Sequence, residues 1–389
     1  MRFFLRLSRV IVGVLFIFSG LIKANDPLGL SYKMQEFFEI WGWHALNDFS
    51  LALSIIMITF EILAGIAVLV GWRMQLFSWL LLLLTIFFTF LTGYAVFSGK
   101  IKECGCFGDC IPLTANQSFI KDLILMVFIL VIFAFRKQIR SRIAPSLSLS
   151  VLTLSLISTL GFQWYVLKYL PVVDCLPYKV GKNISQQMKI PDGSIPDSTE
   201  ITFVYQKAGK EIEFTSTNFP EDFDEATYTF IKRYDKVLRK GNAQIPIRDF
   251  ALSTMSGTDT TEALLTAPGY AGLIFTKGFD DGSSSWENEF SSLKSALDKQ
   301  AIPASFVTND YENLNAWITR HNTAAGIPVL KCDFVAIKTA ARANPTFYLL
   351  NQGNIVGKWS YADFDKAGNY IKTLKGNDGV TNTGDNHNQ

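Results

Sequence analysis

Cysteine is scarce in this chain, with five among 389 residues. That is too few for a disulfide scaffold. Histidine is scarcer still, at three. No Cys-x-x-Cys occurs anywhere, and neither do the two spaced cysteine pairs of a usual zinc site. The net charge is only +2, and no basic patch interleaves with aromatics, which excludes a nucleic-acid binder. Apolar residues, in contrast, make up 49% of the chain and give a mean hydropathy of +0.22. That is high for a soluble protein of this length, and the excess is concentrated in residues 1–170. Residues 171–389 have the mixed charge of a soluble domain.

A bilayer core takes about 20 apolar residues per helix. Five runs qualify: Phe3–Ile22, Phe49–Gly71, Met74–Phe97, Phe119–Phe135 and Leu147–Leu167. Arg2, Arg6 and Arg9 at the start of the first run allow a signal-peptide reading, but Lys23 within "LIKAND" argues against cleavage there. With the N-terminus cytoplasmic, the inner face carries Arg2, Arg6, Arg9, Arg73, Arg136, Lys137, Arg140 and Arg142. The outer loops carry only Lys23, Lys33, Lys100, Lys102 and Lys121. This excess sets the orientation. The loop between spans three and four and everything after span five then face outward, which in a bacterium means a multi-pass inner-membrane protein with a periplasmic C-terminal domain. The lipid bilayer is the first partner implied, and a periplasmic protein is a second.

"ECGCFGDC" at 103–110 places Cys104, Cys106 and Cys110 in that outer loop, on the side where disulfides persist. Gly105 permits the bend that a Cys104–Cys106 bridge needs, and so small a ring exchanges readily. Cys110 would then be the resolving or incoming thiol. A structural disulfide and a thiolate metal site with His44 remain open alternatives. Cys175 and Cys332 are either buried thiols or pairing partners, for each other or for the cluster.

Glu61 falls at the middle of span two, where a carboxylate is costly and must face the bundle interior. It either joins helices by hydrogen bonding or serves a proton or quinone site. Gly65, one turn on, allows close helix approach. Lys23 ends span one. It either snorkels to the headgroups or holds an anionic group, and pairing with Glu61 would require helix bending. "YKMQEFFEIWGWHAL" (32–46) reads as an interfacial helix with Trp41 and Trp43 at headgroup level.

In the outer half, 171–244 reads as a small β-containing module. Within it, "FDEATYTFIKRYDKVLRKG" is ambiguous between helix and strands. From 245 to 377 the order is an entry hairpin ("PIRDFALSTMSGTDTTEAL"), a strand, a helix capped by serine, a strand, two helices and a final hairpin at Gln352–Asn354. This is an α/β sandwich. Residues 378–389 are polar and expected to be disordered.

Three resemblances follow. "FSGLIKANDP", "FEILAGIAVLVG" and above all "ECGCFGDC" make residues 1–140 similar to the four-helix DoxX/MauE superfamily of membrane proteins, of a Bacteroidetes type, with 141–170 as a fifth linking helix. The resemblance implies a role in periplasmic thiol redox chemistry or enzyme maturation, with possible quinone coupling. "IRDFALSTMSGTDTTEAL" and "ARANPTFYLLNQGNIVGKW" make 245–377 similar to the thioredoxin-like fold of the TlpA/peroxiredoxin branch, with Pro345 as its cis-proline and a peptide-binding surface around it. Where that family carries its cysteines, this chain has "TKGFDDGSSSWENEF". The whole arrangement is also similar to bacterial homologues of vitamin K epoxide reductase, again without their Cys-x-x-Cys pairs. The leading expectation is a membrane thiol redox protein using Cys104, Cys106, Cys110 and Glu61, with Lys23 and Glu61 toward a quinone. The rival is a non-catalytic envelope scaffold.

Overall fold

The computed structural model describes residues 2–99, 105, 107–141, 143–191, 193–195, 198–207, 210–215, 218–220, 222–224, 227–239, 241, 245–278, 286–320, 324 and 326–374. Cys104, Cys106 and the polar tail from 375 lie outside them.

Among the described residues, five helices are long and apolar enough to cross a membrane. They are α1 (Arg2–Asn25), α3 (Ser50–Val70), α4 (Met74–Ser98), α5 (Ala115–Ala134) and α6 (Pro145–Tyr169). Each corresponds to one of the five apolar runs within a few residues. The amphipathic α2 (Pro27–Trp41) follows α1 directly. It starts five residues earlier than the interfacial helix read from sequence, because Asp26 caps it by accepting from Gly29 N at 3.0 Å and Pro27 occupies its first turn. It ends at Gly42, whose φ of 72° takes the chain out of the helix. Trp43 therefore lies beyond the helix, edge-on to Trp41 at 5.1 Å.

α1 and α3 pack closest at a pair of glycines. A Cβ on Gly65 would lie 2.8 Å from the Gly13 carbonyl oxygen, and one on Gly13 would lie 2.5 Å from Leu69 Cγ. Small residues let two helix backbones meet this way in lipid. Gly65→Val is accordingly expected to lower the bundle's stability by about 1–3 kcal/mol through overpacking, read as a lower thermal midpoint in detergent. Val12, Phe16, Ala64, Val68, Leu81 and Ile129 fill the core beside this crossing. The fifth span joins through Gln163, whose Nε2 donates to Thr59 Oγ1 at 3.0 Å.

After α6 the chain forms a short α7 (Ile184–Gln187), then β1 (Ser198–Lys207), β2 (Lys210–Thr215) and β3 (Thr229–Arg239) in an antiparallel sheet of order β2-β1-β3. The ambiguous segment is thus a strand. Next come α8 (Thr261–Thr266), β4 (Tyr270–Thr276), α9 (Glu287–Lys299), β5 (Ala304–Thr308), α10 (Tyr311–Arg320), β6 (Val329–Lys331), α11 (Phe334–Ala340), β7 (Thr346–Asn351), β8 (Asn354–Ser360) and α12 (Phe364–Lys372).

The second sheet has the order β6-β5-β4-β7-β8. β4, β5 and β6 are parallel, β7 is antiparallel to β4, and β8 is antiparallel to β7. The Asn344–Pro345 peptide immediately before β7 is cis. This strand order with this cis-proline is the thioredoxin-like fold. Leu273 and Phe275 on β4 face one core and Ile274 faces the other, so the sheet is covered on both sides.

Three local expectations are corrected. The entry hairpin is reduced to isolated bridges at Ser253, because side chains take the backbone partners that strands would use. Leu252 N donates to Thr261 Oγ1 at 2.7 Å, and Thr261 N to Asp259 Oδ1 at 2.8 Å. Helix α9 has Trp286 at its N-cap position with no side-chain cap, and the serines proposed for that role lie outside the described residues. Finally, Tyr178, Ile184 and Ile247 pack in one core with Leu273 and Tyr348. The stretch just after α6 therefore belongs to the thioredoxin-like core, and the three-stranded sheet is an insertion between its parts.

Candidate functional site

The site is built from the C-terminal end of α1, the middle of α3 and α4, and the first half of α5. Glu61 is buried on α3, with 2% of its surface exposed. Lys23 Nζ donates to its Oε1 at 2.5 Å and Ser19 Oγ to its Oε2 at 3.3 Å. Lys23 is itself only 4% exposed, so it is buried against the bundle and does not snorkel to the headgroups. Gly20 lies against Ile62, and Ser54 bonds the Pro27 carbonyl. Lys23 is therefore about two to three residues, roughly 3–4 Å, further along the bundle axis than Glu61, toward the α1 C-terminus. Side chains lean toward their own helix N-terminus. α1 and α3 run antiparallel, so Lys23 leans down and Glu61 leans up, and the two meet.

A second ion pair stands across from the first. Lys121 Nζ lies 2.7 Å from Asp122 Oδ1, and Thr92 Oγ1 donates to Asp122 Oδ2 at 3.0 Å. Between the two pairs is a cavity of about 40 Å³, with Ser19, Thr85 and Phe88 in its wall, large enough for a few waters. Phe107, from the cysteine-bearing loop, closes one side of it. The Phe107 ring packs on Phe18 at 6.0 Å, and Lys121 Nζ sits 5.0 Å above it. The loop and the intramembrane acids are thus in contact through one aromatic side chain.

Cys110 is disulfide-bonded to Cys175, just beyond α6. This takes Cys110 out of a three-thiolate metal set and joins the span-three/four loop to the base of the thioredoxin-like domain. Cys104 and Cys106 fall outside the described residues, so their pairing stays an expectation. Cys332 is buried and free, and burial pushes its thiol up to about 12, which leaves it inert near neutrality. His44 is exposed, with Nδ1 2.9 Å from Glu39 Oε2, far in character from a buried ligand.

The thioredoxin-like domain turns its cis-proline face onto this assembly. Arg342, three residues before Pro345 and 5% exposed, donates Nε to Asp26 at 2.7 Å and Nη2 to Asp109 Oδ2 at 2.9 Å. Asp109 directly precedes Cys110. Lys277, where β4 ends and the family's cysteines would follow, donates Nζ to Tyr32 Oη on α2 at 3.2 Å. Lys338 donates to Gln35 Oε1 at 2.9 Å. Asn344 ties the cis-proline loop to the same strand end, accepting from Lys277 N at 2.8 Å. The Pro345 surface thus faces the chain's own membrane domain.

Sequence reasoning did not find Arg342, Lys277, Asp26, Asp109 or the Lys121–Asp122 pair. The last had a visible signal: two opposite charges at the start of a spanning helix.

Burial, with the nearby Arg342 charge, lowers Lys277 from 10.5 to about 7. Between those values the folded chain holds fewer protons than the unfolded chain. Stability contributed through this group therefore rises with pH across that window. Denaturant midpoints should climb from about pH 7 toward about pH 10, and Lys277→Met should flatten the climb.

Residues 1–135 match the model of the family described as methylamine utilisation protein MauE. Residues 199–240, the three-stranded sheet, match a domain of unknown function, DUF8463. No curated protein matches the chain. The solution structure of a thiol:disulfide interchange protein from Bacteroides sp. is similar over 35% of this chain and 90% of its own, at 12% identity and a TM-score of 0.27.

Proposed function

We propose that this MauE-like, multi-pass membrane domain with its thioredoxin-like outer domain carries out thiol/disulfide exchange at the periplasmic face of the inner membrane. Dithiols of periplasmic proteins would pass electrons through the 104–110 loop to a quinone in the bundle. The observation that supports this most is Phe107, which links the cysteine loop to a cavity flanked by two acid–base pairs. Oxidising two thiols to a disulfide releases two electrons and two protons, and reducing a quinone to a quinol takes up both. Glu61 and Asp122, each held by a lysine, stand where protons would be handed over. The cavity between the pairs holds only a few waters, so a quinone oxygen would meet Lys23 and Glu61 through water and not directly. The N-terminus is cytoplasmic in this reading, because Arg9, Arg73, Arg136, Lys137 and Arg140 gather at the end opposite the cysteine loop.

The test is the redox state of Cys104 and Cys106, read by maleimide mass shift in membranes with and without quinone. A shift toward free thiols on quinone depletion is expected. An unchanged state sinks the proposal and leaves the second reading, a non-catalytic scaffold, which the missing Cys-x-x-Cys and the covered cis-proline face favour.

A further inference from the structure

The disulfide between Cys110 and Cys175 has the same neighbour on both sides. Asp109 precedes Cys110 and Asp174 precedes Cys175. Each aspartate accepts from a buried cation of the thioredoxin-like domain. Arg342 Nη2 reaches Asp109 Oδ2 at 2.9 Å, and Lys358 Nζ reaches Asp174 Oδ2 at 2.9 Å. The two cation side chains are 5% and 4% exposed. Next to Asp174, the Val173 backbone exchanges two hydrogen bonds with the Asn25 side chain at the outer end of α1, at 2.8 and 3.0 Å. One covalent bond therefore holds together two loops, and each loop carries one of the carboxylates that seat the outer domain. Both half-cystines are partly exposed, within reach of a thiol from outside.

We propose that Cys110–Cys175 is an exchangeable disulfide that accepts two electrons from a protein dithiol, and that its opening loosens the thioredoxin-like domain from the membrane domain. The class of partner, a dithiol, rests on the exchange reading above. A partner thiolate attacks one sulfur of the bridge, forms a mixed disulfide and expels the other sulfur as a thiolate. The partner's second thiol then attacks the mixed disulfide and releases the remaining sulfur. The partner leaves oxidised, and Cys110 and Cys175 gain two electrons and two protons. Without the bond, the loops carrying Asp109 and Asp174 move independently. Arg342 then keeps Asp26 as its one fixed carboxylate on the membrane side, Lys358 keeps none, and the weakened seat lets the partner reach the cis-proline face.

The experiment uses the full chain in lipid nanodiscs, with dithiothreitol as the probe. Two quantities are read together: the state of the bridge by mass shift, and amide exchange over α2, residues 276–278 and residues 340–346. The expected result is reduction without loss of the fold, accompanied by about tenfold faster exchange in those segments. The Cys110→Ser/Cys175→Ser double variant should show the same fast exchange with no dithiol. If that variant does not fold, the dithiol result on the unmodified chain decides. A bridge that opens only on unfolding, or one that opens with exchange unchanged, overturns the proposal. The second outcome leaves the thiol-exchange function standing. If the domain is released while Cys104 and Cys106 never change state in membranes, that function falls and the clasp stands.

Discussion

Glu61→Ala should cost the membrane bundle about 3–5 kcal/mol, the range for removing one partner of a buried ion pair. The variant leaves the Lys23 ammonium at 4% exposure with its carboxylate gone. The Phe88 ring face lies 4.9 Å from the ammonium, and a cation over a ring recovers about 0.5–2 kcal/mol at most. Glu61→Gln should cost less, because an amide oxygen still accepts from Lys23 and from Ser19. The double variant Lys23→Met/Glu61→Leu should return close to the parent stability, since replacing both partners with apolar groups removes the desolvation cost together with the attraction. Thermal or denaturant midpoints in detergent measure the series. If Glu61→Ala costs less than about 1 kcal/mol, the value typical of solvent-exposed pairs, water reaches the pair and it is not buried in the sense described. The double variant also separates two roles. A bundle that is stable but no longer shifts Cys104 and Cys106 with quinone would place the pair in the chemistry and not only in the fold.

That pair shows where the sequence stops being readable. The five spans are legible because a bilayer demands a length and a polarity that no soluble segment shares, and the MauE-like character rests on a loop whose cysteine spacing is rare. The Lys23–Glu61 contact is not legible. It depends on the depth offset between two antiparallel helices, set by the Gly13–Gly65 crossing and by α2 covering the outer end of α1, and residue types alone do not give a depth. The Cys110–Cys175 bridge spans 65 residues of separation. With five cysteines, several pairings were equally open until α6 brought Cys175 back to the loop. The thioredoxin-like order was legible because each strand and helix there is short, periodic and bounded by turns. The entry hairpin was misjudged because its Thr, Ser and Asp side chains look like strand residues in a pattern but act as local hydrogen-bond partners. Arg342 was hidden for a different reason. An arginine just past a short helix has the signature of an ordinary surface residue, and only the docking of two domains makes it a buried one.

Arg342→Ala carries the other large expected effect, a loss of about 3–5 kcal/mol from the seating of the outer domain on the membrane domain. The guanidinium uses both edges of its fork: Nε reaches both oxygens of Asp26 at 3.0 and 2.7 Å, Nη1 the Lys338 carbonyl at 2.5 Å, and Nη2 Asp109 at 2.9 Å. Removing it strands two carboxylates at a covered seam and opens a void beneath Tyr32. Arg342→Lys should recover only part of the loss, because a single ammonium nitrogen cannot span Asp26, the Lys338 carbonyl and Asp109 at once as three guanidinium nitrogens do. The two aspartates should differ as well. Asp26 is 16% exposed at the side chain and also caps α2, whereas Asp109 is 37% exposed. Asp26→Ala should therefore cost more than Asp109→Ala, by about the 1 kcal/mol that an N-cap is worth or somewhat more. Amide exchange over 340–346 and α2, with limited proteolysis after α6, reports the seating directly. If exchange there is unchanged in Arg342→Ala, the domain is held by the covalent bridge, by Lys358 and by the Lys277–Tyr32 and Lys338–Gln35 bonds. The order of the aspartate effects then reverses in importance, since Asp174 becomes the residue whose loss should free the domain.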